Sequence, residues 1–115
     1  MRTVDYFHDV ADPYSCLTAQ VLPTLAERYN MVLRPHLVSS PPDWAAPDRE
    51  RLIAYSRLDA ARLASKSGLS FRDPGRQPSE EACETARGAL AAAIDEGSFN
   101  VAASVVSAWL WTGSG

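Results

Sequence analysis

The stretch from residue 3 to residue 17, TVDYFHDVADPYSCL, decides the fold, because a strand and the start of a helix follow one another within it. Residues 3–8 are rich in β-branched and aromatic side chains, which favours a short β-strand. In the turn that follows, Asp12 can accept a backbone N–H bond as the N-cap, and Pro13 suits the first helical position because that N–H would have no partner. The pattern predicts a helix that begins at Pro13.

The residues that follow complete a β-α-β unit. Apolar residues recur at four-residue spacing from Leu17 onward, which is typical of one buried helical face, and Pro23 should kink this helix. Asn30 suits a left-handed helix end. The run 31–38, MVLRPHLV, looks extended, with a bulge or an edge position expected at Pro35, which cannot donate to a sheet ladder. We expect two parallel strands with the helix across one face.

The rest of the chain looks helical. Residues 39–47 have the composition of a loop, and a Pro/Gly-rich break covers 72–78. Three helices are predicted, over about residues 48–67, 82–94 and 100–111. The first of them should stop at Gly68. The sequence therefore predicts an α/β protein in which residues 1–40 form the β-α-β part and residues 41–115 form a helical part.

Composition limits the class of protein. With 115 residues, a 46% hydrophobic fraction and 22% charged residues, the chain is typical of one soluble globular domain. The formal net charge of -3 is spread over interleaved acids and bases, so no basic stripe predicts a nucleic-acid partner. The chain has no run of about 18 apolar residues, and Asp5 stands where a signal peptide needs apolar side chains. We expect a cytoplasmic protein without a membrane partner.

Metal and disulfide chemistry are not predicted. Cys16 and Cys83 lie far apart in sequence and without ligand spacing, and reduced thiols are the default in the cytoplasm. Cys83 lies among small residues and is interpreted as packing. His8 and His36 each fall in a predicted strand, where structural or solvent-facing roles are favoured over metal binding.

Residues 5–17, DYFHDVADPYSCL, resemble the opening of the DsbA-like thioredoxin-fold family that includes 2-hydroxychromene-2-carboxylate isomerase and kappa-class glutathione transferase. Further matches follow in the family's order. Residues 34–38 resemble its second strand, residues 55–64 (YSRLDAARLA) the first helix of its inserted helical domain, and residues 68–71 the turn after that helix. The resemblance implies a thioredoxin-like fold with a helical insertion. The family's C-terminal strands have no counterpart here, so we expect a truncated member.

The resemblance also implies a function. Its closest members suggest a glutathione-dependent isomerase or transferase, with glutathione as cofactor, a small-molecule substrate and a homodimer as the assembly. The sequence departs from the family at Asp12, where relatives carry a serine or the first cysteine of a Cys-x-x-C motif, and at Ser15, which replaces the second cysteine. Disulfide exchange needs an attacking and a resolving thiol, so redox chemistry of the usual kind is not expected.

The site predicted from this resemblance centres on the start of the first helix. Asp12 and Ser15 are the candidate catalytic residues: Asp12 would accept a hydrogen bond from the glutathione thiol or act as a general base, and Ser15 would donate its hydroxyl. The candidate substrate-binding residues are Pro13, Tyr14, Cys16, Arg57 and Asp59. Asp12 can equally be only an N-cap, because aspartate is among the best caps.

The sequence leaves two roles open for Cys16 and for Asp59. Cys16 could be a nucleophile whose pKa the first helical turn lowers, or it could pack against the sheet. Asp59 could form a surface pair with Arg62, whereas the resemblance places Arg57, Asp59 and Arg62 along a cleft. The function is open as well: the chain could be a catalytically inactive fragment or partner-binding module, or thirdly a thiol-disulfide oxidoreductase that uses Cys16.

Overall fold

The computed structural model describes residues 2–39 and 48–112 of the chain. Its elements are β1 (Arg2–His8), α1 (Pro13–Arg28), β2 (Met31–Leu37), α2 (Arg49–Ser67), α3 (Glu80–Glu96) and α4 (Phe99–Trp111). The mixed α/β order with a β-α-β start and helices behind it confirms the coarse prediction. Beyond Ser39, the predicted loop 39–47 lies outside the described residues, and so does Trp44. The division at residue 40 into two parts stays a prediction.

The two strands lie parallel, as the β-α-β pattern predicts. Their register runs without a shift from Arg2 opposite Met31 to His8 opposite Leu37. Pro35 pairs with Tyr6 inside this regular register, so no bulge is needed to accommodate it. In the described part of the chain the sheet has two strands, and each of them has a free edge, where a proline is tolerated.

Residues that favour helix ends stand at the helix boundaries. After α1, which continues through Pro23, Asn30 adopts a left-handed conformation with φ 51°. Gly68 ends α2 with φ 70°, and its N–H bonds to the Ala64 carbonyl. The Ser79 hydroxyl accepts a 3.1 Å hydrogen bond from the Ala82 N–H and caps α3. The predicted kink at Pro23 stays a prediction.

Helix α1 contributes buried side chains to two separate apolar clusters. On one side Cys16, Ala19 and Leu22 pack with residues of α3 and α4 and with the inner face of the sheet. On the other side Leu17 packs with Ala60 and Ala64 of α2. Small side chains let the helix backbones approach closely, and this places α1 between α2 and the pair α3 and α4.

The outer face of the sheet carries a charged cluster, and no helix of the described residues covers it. The Arg34 guanidinium donates two hydrogen bonds to the Asp5 carboxylate, at 3.0 and 3.1 Å. His36 Nε2 lies 2.9 Å from the same carboxylate, and its ring stacks on Phe7. Hydrogen bonds from His36 and Arg34 lower the pKa of Asp5. His36 is thus solvent-facing, and Phe7 remains 61% exposed.

The inner face of the sheet buries a polar pair. His8 is completely buried, its Nδ1 lies 2.8 Å from the Tyr6 hydroxyl, and its ring meets Phe99 edge-on. The other ring nitrogen, Nε2, has no hydrogen-bond partner in the described part of the chain. Burial lowers the pKa of His8 from 6.5 to about 4 and raises the pKa of Tyr6 to about 12. Both groups are therefore neutral at physiological pH.

Helix α4 is apolar on its outer side as well as its inner side. Val101, Val105 and Trp109 follow one another at four-residue spacing and remain 69%, 66% and 36% exposed. Trp111, by contrast, is buried, and its indole N–H donates a 3.2 Å hydrogen bond to the Val10 carbonyl. The side chains of Val101, Val105 and Trp109 form an exposed apolar stripe on α4. No helix in residues 2–39 and 48–112 has the length and apolar content to cross a membrane.

The buried His8 predicts a specific pH dependence of stability. Unfolded His8 takes up a proton near pH 6.5, but folded His8 only near pH 4. Because the unfolded state binds more protons in this window, the free energy of unfolding should decrease as the pH falls through it, by on the order of 3 kcal/mol at most. Urea denaturation at several pH values in this window measures the slope.

The matched control is the other histidine. His8→Gln should remove the slope between these pH values, although it lowers stability overall, whereas His36→Gln on the exposed face should keep it. An unchanged slope in His8→Gln would show that other groups cause the acid sensitivity.

Candidate functional site

The first turn of α1 has the local structure that its sequence predicts. Asp12 is the N-cap with φ −98° and ψ 118°, and its Oδ1 accepts a 2.9 Å hydrogen bond from the Tyr14 N–H. Pro13 occupies the first helical position. Just before the cap, the Asp9 side chain accepts a 3.0 Å hydrogen bond from the Ala11 N–H, so the turn into the helix is fixed by side-chain bonds.

A cleft of about 270 Å³ opens at this helix start. Asp12, Pro13 and Tyr14 line one side of it, and Arg49 and Ser56 of α2 line the other. The cleft combines carboxylates and a guanidinium with the apolar side chains of the first turns of α2. Three of the seven predicted site residues therefore lie together at one concave surface.

Asp12 already occupies the position at which a helix start binds an anion. Pro13 has no N–H, the Tyr14 N–H donates to the Asp12 carboxylate, and the Ser15 N–H donates to the Asp12 carbonyl at 3.0 Å. Burial raises the pKa of Asp12, and the charge of Asp9 adds to this shift. The Asp12 carboxylate is thus a more basic group than an exposed aspartate, and it faces the cleft at its rim.

Tyr14 and Asp59 are brought together, but they bind each other. The Tyr14 hydroxyl donates a 2.6 Å hydrogen bond to Asp59 Oδ2, which links the first turn of α1 to α2. This bond is the main cause that raises the pKa of Tyr14 to about 12. Asp59 therefore holds Tyr14 in position at the edge of the cleft.

Arg57 connects α2 to the segment 72–78, which in turn binds the turn before α1. Its guanidinium donates to Asp73 Oδ1 at 3.0 Å and to Gln77 Oε1 at 2.9 Å, and its side chain is 11% exposed. The Gln77 amide in turn donates a 3.0 Å hydrogen bond to the Ala11 carbonyl in the turn before α1. Arg57 does not line the cleft in this arrangement. It is a positioning residue that connects α2, the 72–78 segment and the α1 cap.

The structure turns Ser15 and Cys16 away from the cleft. Ser15 is buried, and its hydroxyl accepts a 3.3 Å hydrogen bond from the Asp9 N–H. Cys16 is 5% exposed in the main apolar cluster, and burial raises its pKa to about 11, so it is a neutral thiol at physiological pH. Of the two roles open to Cys16, the packed position is the one observed. Cys83 is likewise buried, and neither cysteine forms a disulfide.

Arg49 and Gln77 also line the cleft, although the sequence did not predict them as site residues. Arg49 is the first residue of α2 and lines the cleft opposite Asp12. Its position in the first turn of a predicted helix, beside the acid Glu50, gave no hint that this turn faces α1. Gln77 lies in a segment without helix or strand, and nothing in its sequence neighbourhood signals a bond to a carbonyl 66 positions earlier.

No protein-family model, curated protein or solved structure matches this chain. In the described ranges, moreover, no group of three histidine, cysteine or acidic side chains could hold a metal ion. Over residues 2–39 and 48–112 the structure defines a mixed α/β protein with a β-α-β start, four helices and a cleft of charged and apolar side chains at the start of α1.

The Tyr14–Asp59 bond predicts an energetic coupling between α1 and α2. Tyr14→Phe and Asp59→Asn should each lower the free energy of unfolding by about 1 kcal/mol, because each removes or weakens one partly exposed hydrogen bond to a carboxylate. The double variant should lose little more than either single variant. Urea denaturation of the four proteins measures this cycle.

Tyr29→Phe is the control for removing a phenolic hydroxyl, because Tyr29 is 58% exposed. It should change the free energy of unfolding by less than about 0.5 kcal/mol. Strictly additive effects of Tyr14→Phe and Asp59→Asn would contradict the coupling.

Proposed function

We propose that this chain is a DsbA-like thioredoxin-fold protein of the glutathione-handling kind, similar to 2-hydroxychromene-2-carboxylate isomerase and kappa-class glutathione transferase. The cleft at the start of α1 is the proposed glutathione site. The observation that carries the proposal is the position of Asp12, Pro13 and Tyr14, the residues that resemble the family motif, at a concave surface lined by charged and apolar side chains.

The cleft offers glutathione partners of both signs. Arg49 carries a cation that suits a carboxylate of the tripeptide, and Asp12 carries an acceptor for its neutral thiol. A volume of about 270 Å³ is slightly below the usual range for small-molecule sites, which begins at about 300 Å³. We expect the cleft to hold one part of glutathione. The rest of the tripeptide would extend out of the cleft along the surface of α2.

The chemistry proposed for this site rests on Asp12. Its raised pKa makes it a better proton acceptor than an exposed aspartate, so it could accept a hydrogen bond from the neutral thiol or remove its proton. Ser15, whose hydroxyl faces Asp9, does not support the role of a donor to the substrate. A small-molecule second substrate would then be isomerised or receive the tripeptide sulfur.

A second candidate function is a catalytically inactive module that binds a partner protein or a second copy of itself. Two observations favour it. Asp12 caps α1 with its own carboxylate and so fills the anion position, and the apolar stripe Val101, Val105 and Trp109 is exposed on α4. A homodimer is the assembly that the family resemblance suggests, and this stripe is the surface on which it could form. The third candidate, an oxidoreductase that uses Cys16, has little support, because the thiol is buried and its pKa is about 11.

Calorimetric titration of reduced glutathione into the purified chain tests the proposal. We expect measurable binding, strengthened in Asp12→Ser by about fivefold, because serine keeps the N-cap and can still hydrogen-bond the thiol, while it removes the repulsion between the Asp12 carboxylate and the negatively charged tripeptide. Asp95→Ser, which removes an exposed acid on α3, is the matched control and should leave the affinity unchanged.

The outcomes separate the two leading candidates. Binding that Asp12→Ser strengthens and Asp95→Ser does not alter supports a glutathione site at the start of α1. No heat from the natural chain or from either variant would contradict the glutathione site and favour the partner-binding module.

A further inference from the structure

A second cavity, of about 770 Å³, shares no lining residue with the cleft at the start of α1. It lies between α1, the segment 70–74 and the C-terminal half of α4. Its volume is within the range of sites that bind drug-sized molecules. Neither the sequence pattern nor the family resemblance singled it out.

The walls of this cavity are fixed by hydrogen bonds within the chain. The Gln20 side chain donates a 2.7 Å hydrogen bond to the Ser70 carbonyl and accepts a 2.8 Å bond from the Ser70 N–H. Both backbone polar groups of Ser70 are thus bound to α1, which attaches segment 70–74 to this helix. Phe71 meets Trp111 edge-on, with ring centroids 5.4 Å apart. The cavity is therefore formed before any ligand binds, and binding need not order its walls.

The two charged side chains of the cavity wall differ in whether they have a partner. Arg72 and Asp73 are its two charged lining residues in the described part of the chain. Asp73 is neutralised, because its carboxylate accepts hydrogen bonds from Arg57 at 3.0 Å and from the Gly75 N–H at 2.8 Å. Arg72 is exposed and forms no ion pair with another described residue. Among the described residues, the cavity thus presents the Arg72 cation without an ion-pair partner, beside an aromatic and aliphatic surface.

We propose that this cavity binds an amphipathic organic anion, with an apolar ring system against Phe71 and Trp111 and one acidic group at Arg72. The apolar part would be removed from water by the aromatic pair and Ala108, and the acidic group would stay near the cavity mouth, where Arg72 is accessible. This site is independent of the proposed glutathione site and does not require that site to be occupied.

The test uses two fluorescent probes that differ in one acidic group, 8-anilinonaphthalene-1-sulfonate and the neutral N-phenyl-1-naphthylamine. Both should bind the natural chain, and the sulfonate should bind more tightly. Arg72→Gln should weaken binding of the sulfonate by about threefold to fivefold, the effect of one exposed ion pair, and leave the neutral probe unchanged. Arg76→Gln, which removes an equally exposed arginine outside the cavity, should change neither.

A larger side chain inside the cavity provides a second test of the proposed site. Ala108 lines the cavity with an exposed methyl group, so Ala108→Phe should weaken binding of both probes by about tenfold without disturbing the core. Ala92→Phe on α3 controls for an added ring, and Val105→Gln controls for probe binding to the exposed stripe of α4. Neither control should change the affinity for either probe.

Either of two results would overturn the proposal. Probe binding that survives Ala108→Phe, or that is lost equally in Val105→Gln, would place the probes on another surface. Equal effects of Arg72→Gln and Arg76→Gln on the sulfonate would exclude an anion site at Arg72.

Discussion

The burial of α1 on two sides is the constraint on which the rest of this structure depends. Leu17 faces the small side chains of α2, while Cys16, Ala19 and Leu22 face α3, α4 and the sheet. A helix held in this way can move against neither neighbour without opening a cavity, and the cost of cavities in a packed core is large. The cleft lies at the start of this helix, and the second cavity lies beside its Cys16 and Gln20.

Because α1 is fixed, the few polar bonds at its start set the geometry of the cleft. Asp12 closes the first turn, Tyr14 reaches Asp59 of α2, and Gln77 holds the Ala11 carbonyl. The same carboxylate that caps the helix also stands where a bound anion would gain most from the helix dipole. Any ligand thiol or carboxylate at this site must therefore be accommodated beside a cap that is itself negatively charged.

The parts of the fold that depend on neighbouring residues could be predicted from the sequence. Asp12 and Pro13 indicate the start of α1, and Asn30 and Gly68 indicate helix ends, because capping and left-handed conformations are local properties of the chain. The parallel pairing of the strands follows from one helix between two short strands. The role of Cys16 stayed open, since the same position suits an activated thiol and a packed one, and only burial distinguishes them.

The parts that depend on distant residues could not be predicted. The bonds from Arg57 to Gln77 and from Gln77 to Ala11 join three segments whose approach is set by how the helices pack. The second cavity likewise exists because Gln20 binds Ser70 and Phe71 meets Trp111, and a single sequence carries no signal for either contact.

Amide chemical shifts on addition of reduced glutathione would show whether the start of α1 forms a ligand site. We expect the largest shift changes at Ala11, Tyr14 and Arg49, around the cleft, and unchanged shifts for the amides of Ser70 and Phe71 beside the second cavity. Shift changes confined to other parts of the chain, or no shift changes at millimolar glutathione, would contradict a ligand site there.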